Sequence, residues 1–175
     1  LWLIVNDAST DGSQSIIDGL TKANDWIFSI TMPYEPGGLG LHYARVVEHG
    51  FFVLQEEANR CGIEYDLIGK LDADVIFDKD CFASLETEFA ADVSLGIASP
   101  SLTNVEFTVE DEVLPKKKEV VLGDHPTDGI RLFRCACFEE IGGSPLTRAP
   151  ETVVEAKATL RGWTLRRFAH IEAYH

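Results

Sequence analysis

Three features of the sequence predict an α/β fold with a mainly parallel, twisted sheet and helices on both faces. Short apolar segments suited to strands alternate with longer segments whose apolar residues recur at helical spacing, in the order β, α, β, α, β, α, β up to Ser99. The first segment, residues 1–5, is continuously apolar, as a strand buried on both faces should be. The first and third strand segments run out into acidic, polar loops, the end of an open α/β sheet at which ligands bind.

Residues 1–5 lead into Asn6-Asp7-Ala8-Ser9-Thr10-Asp11-Gly12-Ser13, where Asp11 or Ser13 can cap a helix carrying Ile16, Ile17, Leu20 and Ala23 on one face. A second strand over residues 25–31 closes at the Pro- and Gly-rich break of residues 32–38. Over residues 39–61, Ala44, Val47, Phe51, Leu54 and Ala58 repeat at helical spacing, and Gly62 is a natural stop. The third strand follows and ends in Leu71-Asp72-Ala73-Asp74-Val75. Asp78-Lys79-Asp80 then caps a helix with Phe82, Leu85 and Phe89 inward, and residues 95–99 form a fourth strand.

Beyond Pro100 the pattern changes. Residues 102–109 alternate apolar and polar, as an antiparallel or edge strand does, and residues 110–118 read as a charged, solvated excursion. Residues 120–122 and 130–133 are short strands separated by Gly123-Asp124-His125-Pro126-Thr127-Asp128-Gly129. A short helix through Phe138 and Ile141, a turn at residues 142–145, a helix over residues 150–161 and a strand over residues 163–170 complete the chain.

The length of 175 residues and a hydrophobic content of 45% fit one globular domain. Fifteen basic against 29 acidic residues leave a formal charge of −14, which repels nucleic acid and anionic lipid. An anionic ligand therefore needs a metal ion or a local basic pocket. The sequence contains no run of apolar residues long enough to span a membrane and no signal-peptide pattern at Leu1. It reads as cytoplasmic, the inner face of the membrane included. The abrupt opening and close on strands read as truncation at one or both ends. Cys135 and Cys137, one apart, are expected to point to the same face of a strand as small core residues; no cysteine spacing matches a zinc site.

Asp72 and Asp74 carry the functional argument. Side chains one apart on a strand point the same way, so the two carboxylates repel each other unless a hard divalent cation sits between them. Mg²⁺ and Mn²⁺ are typically held by one or two carboxylates together with the phosphates of a ligand.

In order and spacing, these segments resemble an inverting glycosyltransferase of family 2 with the GT-A fold. The loop from Asn6 to Ser13 is similar to the family's Asp-Asp-Gly-Ser-Thr-Asp-Gly-Thr segment, and Leu71-Asp72-Ala73-Asp74 to its Asp-x-Asp motif. Leu132-Phe133-Arg134 with Phe138-Glu139-Glu140-Ile141-Gly142-Gly143 resembles the segment before the acceptor-side helix, and Arg161-Gly162-Trp163 its close. The resemblance covers nearly the whole chain. It implies a single transferase domain over residues 1–175, with a Rossmann-like nucleotide-binding half over 1–100 and a smaller, mixed acceptor-side half over 101–175. It also implies a nucleotide-diphosphate sugar donor, a glycan, lipid-linked or other hydroxyl acceptor, a role in glycan or polysaccharide synthesis, and Mn²⁺ or Mg²⁺ as cofactor. Asn6, Asp7, Ser9, Asp11 and Asp72 then bind the nucleotide, and Asp72, Asp74 and His175 the metal.

Two departures stand out. The family's opening strand lies upstream of Leu1, and its Glu-Asp pair, whose Asp is the general base, counts back from Gly162 to Thr152 and Val153. The nearest acids are Glu151 and Glu155, four apart on one helix face, which the sequence places opposite an apolar stripe of Val153, Ala156 and Leu160. Glu151 is the first candidate for the base because some members begin this helix with Asp-Thr, which Glu151-Thr152 resembles. Arg45, Arg131, Arg134, Arg148 and Arg166, with His42 and His125, are expected at the surface. Two alternatives stand beside the transferase. Residues 71–75, with Gly123, Asp124 and Asp128, also resemble the motifs of a haloacid-dehalogenase-type phosphatase, and the missing Glu-Asp pair fits a non-catalytic sugar-nucleotide-binding domain.

Overall fold

The computed structural model describes residues 1–34, 40–103 and 125–175. The chain divides into two compact units: Leu1–Glu64 with Gly143–Val153, and Tyr65–Gly142 with Val154–His175.

In the first unit, β1 (Trp2–Asn6) and β2 (Ile27–Thr31) pair in parallel, joined by α1 (Ser13–Ala23). The longest helix, α2 (Leu41–Cys61), buries Ala44, Phe51 and Ala58, the face its apolar repeat predicts. It lies so close to β1 that a Cβ on Gly50 would stand 3.2 Å from Val5. Gly62 ends α2 in the left-handed region, at φ 66°, and its N–H reaches back to the carbonyls of Ala58 and Asn59. The expectation for α1 is only partly met: Ile17 is buried, whereas Ile16 and Leu20 are 67% and 41% exposed.

The second unit holds a five-stranded sheet in the order β3 (Leu67–Leu71), β6 (Ile130–Arg134), β5 (Leu95–Thr103), β7 (Thr164–Tyr174), β4 (Ile76–Phe77). This sheet is mixed, which corrects the mainly parallel expectation. Among its described strands only β5 and β7 run parallel; β3 with β6, β6 with β5, and β7 with β4 are antiparallel. The strands of the first hundred residues do not form one sheet: β1 and β2 pair with each other, and in the larger sheet β6 returns from the second half of the chain and inserts between β3 and β5. The expected strand over residues 95–99 runs on to Thr103, with a register shift between Pro100 and Ser101, where proline offers no N–H to the ladder. The other segments expected between Thr103 and His125 lie outside the described residues.

Residues 95–100 of β5 are buried throughout, as expected of a central strand. Around β5 pack Val75, Leu85 and Phe89 from one side of the chain order and Ile130, Phe168, Ile171 and Ala173 from the other. Leu85 and Phe89 come from α3 (Cys81–Ala91). Gly96 marks the tightest place: an added Cβ would meet Cys137 Sγ at 2.7 Å and Trp163 Cβ at 2.8 Å. Gly96→Ala should therefore lower stability by about 1–3 kcal/mol, the usual range for an overpacked core. The check is a lower urea midpoint at unchanged m-value.

Cys135 and Cys137 lie on a short helix, α4 (Cys135–Glu140), which corrects their placement on a strand. Cys137 is fully buried, and burial pushes its thiol up to about 11, so it acts as an inert core residue. The last helix, α5 (Pro150–Leu160), precedes β7.

Candidate functional site

The loop after β1 is built on Asn6. This side chain is only 4% exposed, its carboxamide oxygen accepts the Ser9 N–H at 3.0 Å, and its nitrogen donates to Gln14 Oε1 at 2.6 Å. Thr31 at the end of β2 donates to the same Gln14 oxygen at 3.2 Å. Asn6 thus closes the loop from within, while Asp7, Ser9 and Asp11 stand exposed around it. Ala8 sits at φ 53°, a left-handed conformation for a residue with a Cβ, held by these surrounding bonds. Asp11 accepts the Ser13 N–H at 3.0 Å, and its hydrogen bonds to Ser13 draw its carboxyl below the usual range. The structure thereby gathers Asn6, Asp7, Ser9 and Asp11 into one loop of the first unit.

His42, expected at the surface, is partly exposed on α2, with Nε2 2.7 Å from Asp7 Oδ2. The pair joins positions 35 residues apart, so no local pattern could show it.

In the second unit β3 stops at Leu71, and Asp72 opens a turn in which its own N–H donates to Gly129 O and its carbonyl accepts from Val75 N–H. The carboxylates of positions 72 and 74 therefore belong to a turn and not to a strand, which corrects the same-face argument, and they take different partners. Asp72 Oδ1 lies 3.1 Å from Lys70 Nζ. Asp74 Oδ2 lies 3.0 Å from His175 Nε2.

The second pairing follows from register. β4 and β7 are antiparallel with Ile76 opposite Tyr174, so the turn before β4, which carries Asp74, and the residue after β7 are brought to the same end. Buried Val75 anchors the turn, and the backbone N–H of His175 donates to Thr103 O at 3.0 Å. Among the described residues no three His, Cys, Asp or Glu side chains converge as a metal-holding group. Asp74 and His175 instead make an oxygen–nitrogen pair, which suits an ion that draws its remaining ligands from water and phosphate.

On α5 the buried residues are Pro150, Val154 and Ala158, while Ala156 and Leu160 are exposed, Leu160 by 86%. The apolar stripe through Val153, Ala156 and Leu160 is thus corrected. Glu151, three positions before Val154, and Glu155, three before Ala158, lie on the inward side and are each half-buried. The two glutamates differ in what holds them. Glu155 Oε1 is bonded to Arg131 Nη2 at 2.7 Å, and its other oxygen lies 3.4 Å from Nδ1 of exposed His125. Glu151 sits in the first turn, where the exposed N–H groups of a helix favour a negative charge.

No protein-family model matches the chain, and no curated protein matches it. Solved structures do. The mannosyltransferase PcManGT from Pyrobaculum calidifontis, in complex with GDP-Man and Mn²⁺, superposes over 99% of this chain with a TM-score of 0.66 at 14% identity. The chain has a glycosyltransferase fold. Residues 1–349 of S. aureus TarS match over 98% of the chain with a TM-score of 0.61 at 13% identity. The chain spans about half the length of both, 46% and 50% respectively.

Two arginines serve this glycosyltransferase fold from inside, which corrects their expected surface role. Arg134 donates from Nε to Leu95 O and from Nη2 to Phe89 O and Asp92 O, tying β6 to both ends of the loop between α3 and β5. Arg131 is only 3% exposed. The signal for it was present in the sequence: Arg131 shares strand parity with Phe133, so a strand that turns Phe133 inward turns Arg131 inward too. Arg45, Arg148 and Arg166 are exposed, as expected.

Proposed function

We propose that this chain carries the donor site and the proton acceptor of a metal-dependent, inverting GT-A glycosyltransferase, which moves a sugar from a nucleotide diphosphate to an acceptor hydroxyl. The observation that carries this reading is the Asp74–His175 pair, two residues 101 positions apart in the sequence that meet at 3.0 Å at the end of the acid-bearing segment. Asp74 would offer one carboxylate oxygen, and His175 a neighbouring imidazole nitrogen, to an ion that takes its remaining ligands from water and the diphosphate. Once bound, such an ion neutralises the charge that develops on the departing diphosphate.

In this reading the loop of Asn6, Asp7, Ser9 and Asp11 binds the nucleotide, with His42 orienting the Asp7 carboxylate. Asp72, held by Lys70, serves the nucleotide's ribose. Glu151 accepts the proton of the acceptor hydroxyl as its oxygen bonds to the anomeric carbon and the carbon–oxygen bond to the diphosphate breaks. One displacement from the opposite face inverts the anomeric centre. The GDP-Man and Mn²⁺ in complex with the mannosyltransferase support this class of donor and cofactor. No described helix is long and apolar enough to cross a membrane.

The test is a thermal-shift panel of GDP-, UDP- and dTDP-sugars, each with and without Mn²⁺, read beside release of nucleoside diphosphate. A ligand at about a hundred times its Kd should stabilise the chain by about 2.7 kcal/mol. We expect one nucleotide to do so, more strongly with Mn²⁺, and to be turned over. Shifts without turnover would favour a binding domain. Free phosphate from a phosphomonoester, with no response to any sugar nucleotide, would favour the phosphatase and overturn the reading.

A further inference from the structure

Arg131 is the most heavily bonded buried charge among the described residues, and the transfer chemistry above gives it no role. Its Nε donates to Thr127 O at 2.8 Å, and its Nη2 lies within hydrogen-bond distance of Pro126 O, Asp128 Oδ1 and Glu155 Oε1, at 2.9, 2.5 and 2.7 Å. Its Nη1 is buried without a partner. A guanidinium buried at 3% exposure is costly unless its bonds hold it in one place, and here they link β6, which carries it, to two other elements. Those are the turn over residues 126–128 and helix α5. The turn is itself pinned to β5, since Thr127 N–H donates to Ser99 Oγ at 2.8 Å.

The geometry points to Glu155 and Arg131 as a positioning pair for the transfer site: Arg131 fixes Glu155, and Glu155 fixes the turn of α5 on which Glu151 stands. This inference rests on the reading of Glu151 as the proton acceptor. Glu155 is one helical turn from Glu151, so a constraint on its carboxylate sets the rotation of α5 at the preceding turn. A second tether, from Lys157 Nζ to Ile141 O at 2.9 Å, holds the same helix two residues further on. With Oε1 already bonded to a guanidinium, that oxygen of Glu155 is taken up in holding the helix.

The experiment compares Glu155→Gln, Arg131→Lys and their double variant with the parent chain. It measures kcat, donor KM and calorimetric donor affinity in Mn²⁺, well below each melting midpoint. Glu155→Gln keeps the shape but loses the ion pair, and Arg131→Lys keeps the charge but loses the fork that reaches several acceptors at once. Each should lower kcat about ten- to a hundredfold, the order of loss that a misplacement of about 1 Å brings, with donor KM and affinity unchanged. The double variant should be no worse than the poorer single, because both act through one contact. A merely stabilising pair would lower the melting midpoint and leave kcat untouched, and that result overturns the inference. So does Glu155→Gln as inactive as Glu151→Gln, which would make Glu155 the base. If Glu155→Gln does not fold, Arg131→Lys decides on the same criteria. A parent chain that binds and turns over no sugar nucleotide overturns the transferase reading, and the positioning role with it; an active parent with fully active variants removes the positioning role alone.

Discussion

Glu151→Gln is expected to lower turnover about a hundred- to ten-thousand-fold, the range a positioned general base contributes, while donor affinity in Mn²⁺ stays as in the parent chain. Glutamine keeps the length and the hydrogen-bonding shape of glutamate but has no carboxylate to take up a proton. In the proposed site Glu151 is taken as the base because Glu151-Thr152 resembles the Asp-Thr with which some family members begin this helix. It lies in the first turn, half-buried on the side of Val154 and Ala158. The check combines single-turnover kinetics with calorimetry, so that chemistry and binding are read separately. Unchanged turnover removes the assignment; lost binding together with lost turnover shows that Glu151 holds the donor and that the base lies elsewhere.

What was legible in the sequence divides along the range of the interactions involved. Helix α2 was readable because its apolar repeat and Gly62 are local signals, and the structure buries Ala44, Phe51 and Ala58 as that repeat requires. The loop of Asn6, Asp7, Ser9 and Asp11 was readable as a unit because eight consecutive polar or small residues follow an apolar strand. The mixed sheet was not, since nothing in residues 67–71 announces that their partner is a strand more than sixty residues later. The same limit hid His42 beside Asp7 and Arg131 beside Glu155. On α5, periodicity misled by one position: Val153, Ala156 and Leu160 form as good a helical stripe as Val154 and Ala158, and only packing against the rest of the chain decides between them. His175 gave no local signal at all. Its place beside Asp74 came from family resemblance, and the antiparallel register of β4 with β7 supplies the physical reason.

That register makes Asp74→Asn the second large effect. The substitution leaves the turn intact, because Val75 still buries and its N–H still meets Asp72 O at 3.3 Å, but it halves the donor pair and removes its negative charge. Loss of a group one step removed from a metal typically costs about ten- to a hundredfold in metal affinity, and loss of a direct ligand should cost at least the upper end of that range. Donor affinity in Mn²⁺ should therefore fall about a hundredfold or more, whereas in excess chelator variant and parent should bind the donor equally weakly. Asp72→Asn provides the contrast. Its carboxylate meets Lys70 and serves the ribose in the proposed site, so its loss should weaken donor binding by the same factor with and without Mn²⁺. Calorimetric titrations of the two variants in both conditions separate the roles. Metal-dependent affinity that survives Asp74→Asn would remove Asp74 and His175 as the seat of the ion, and with them the observation on which the transferase reading stands.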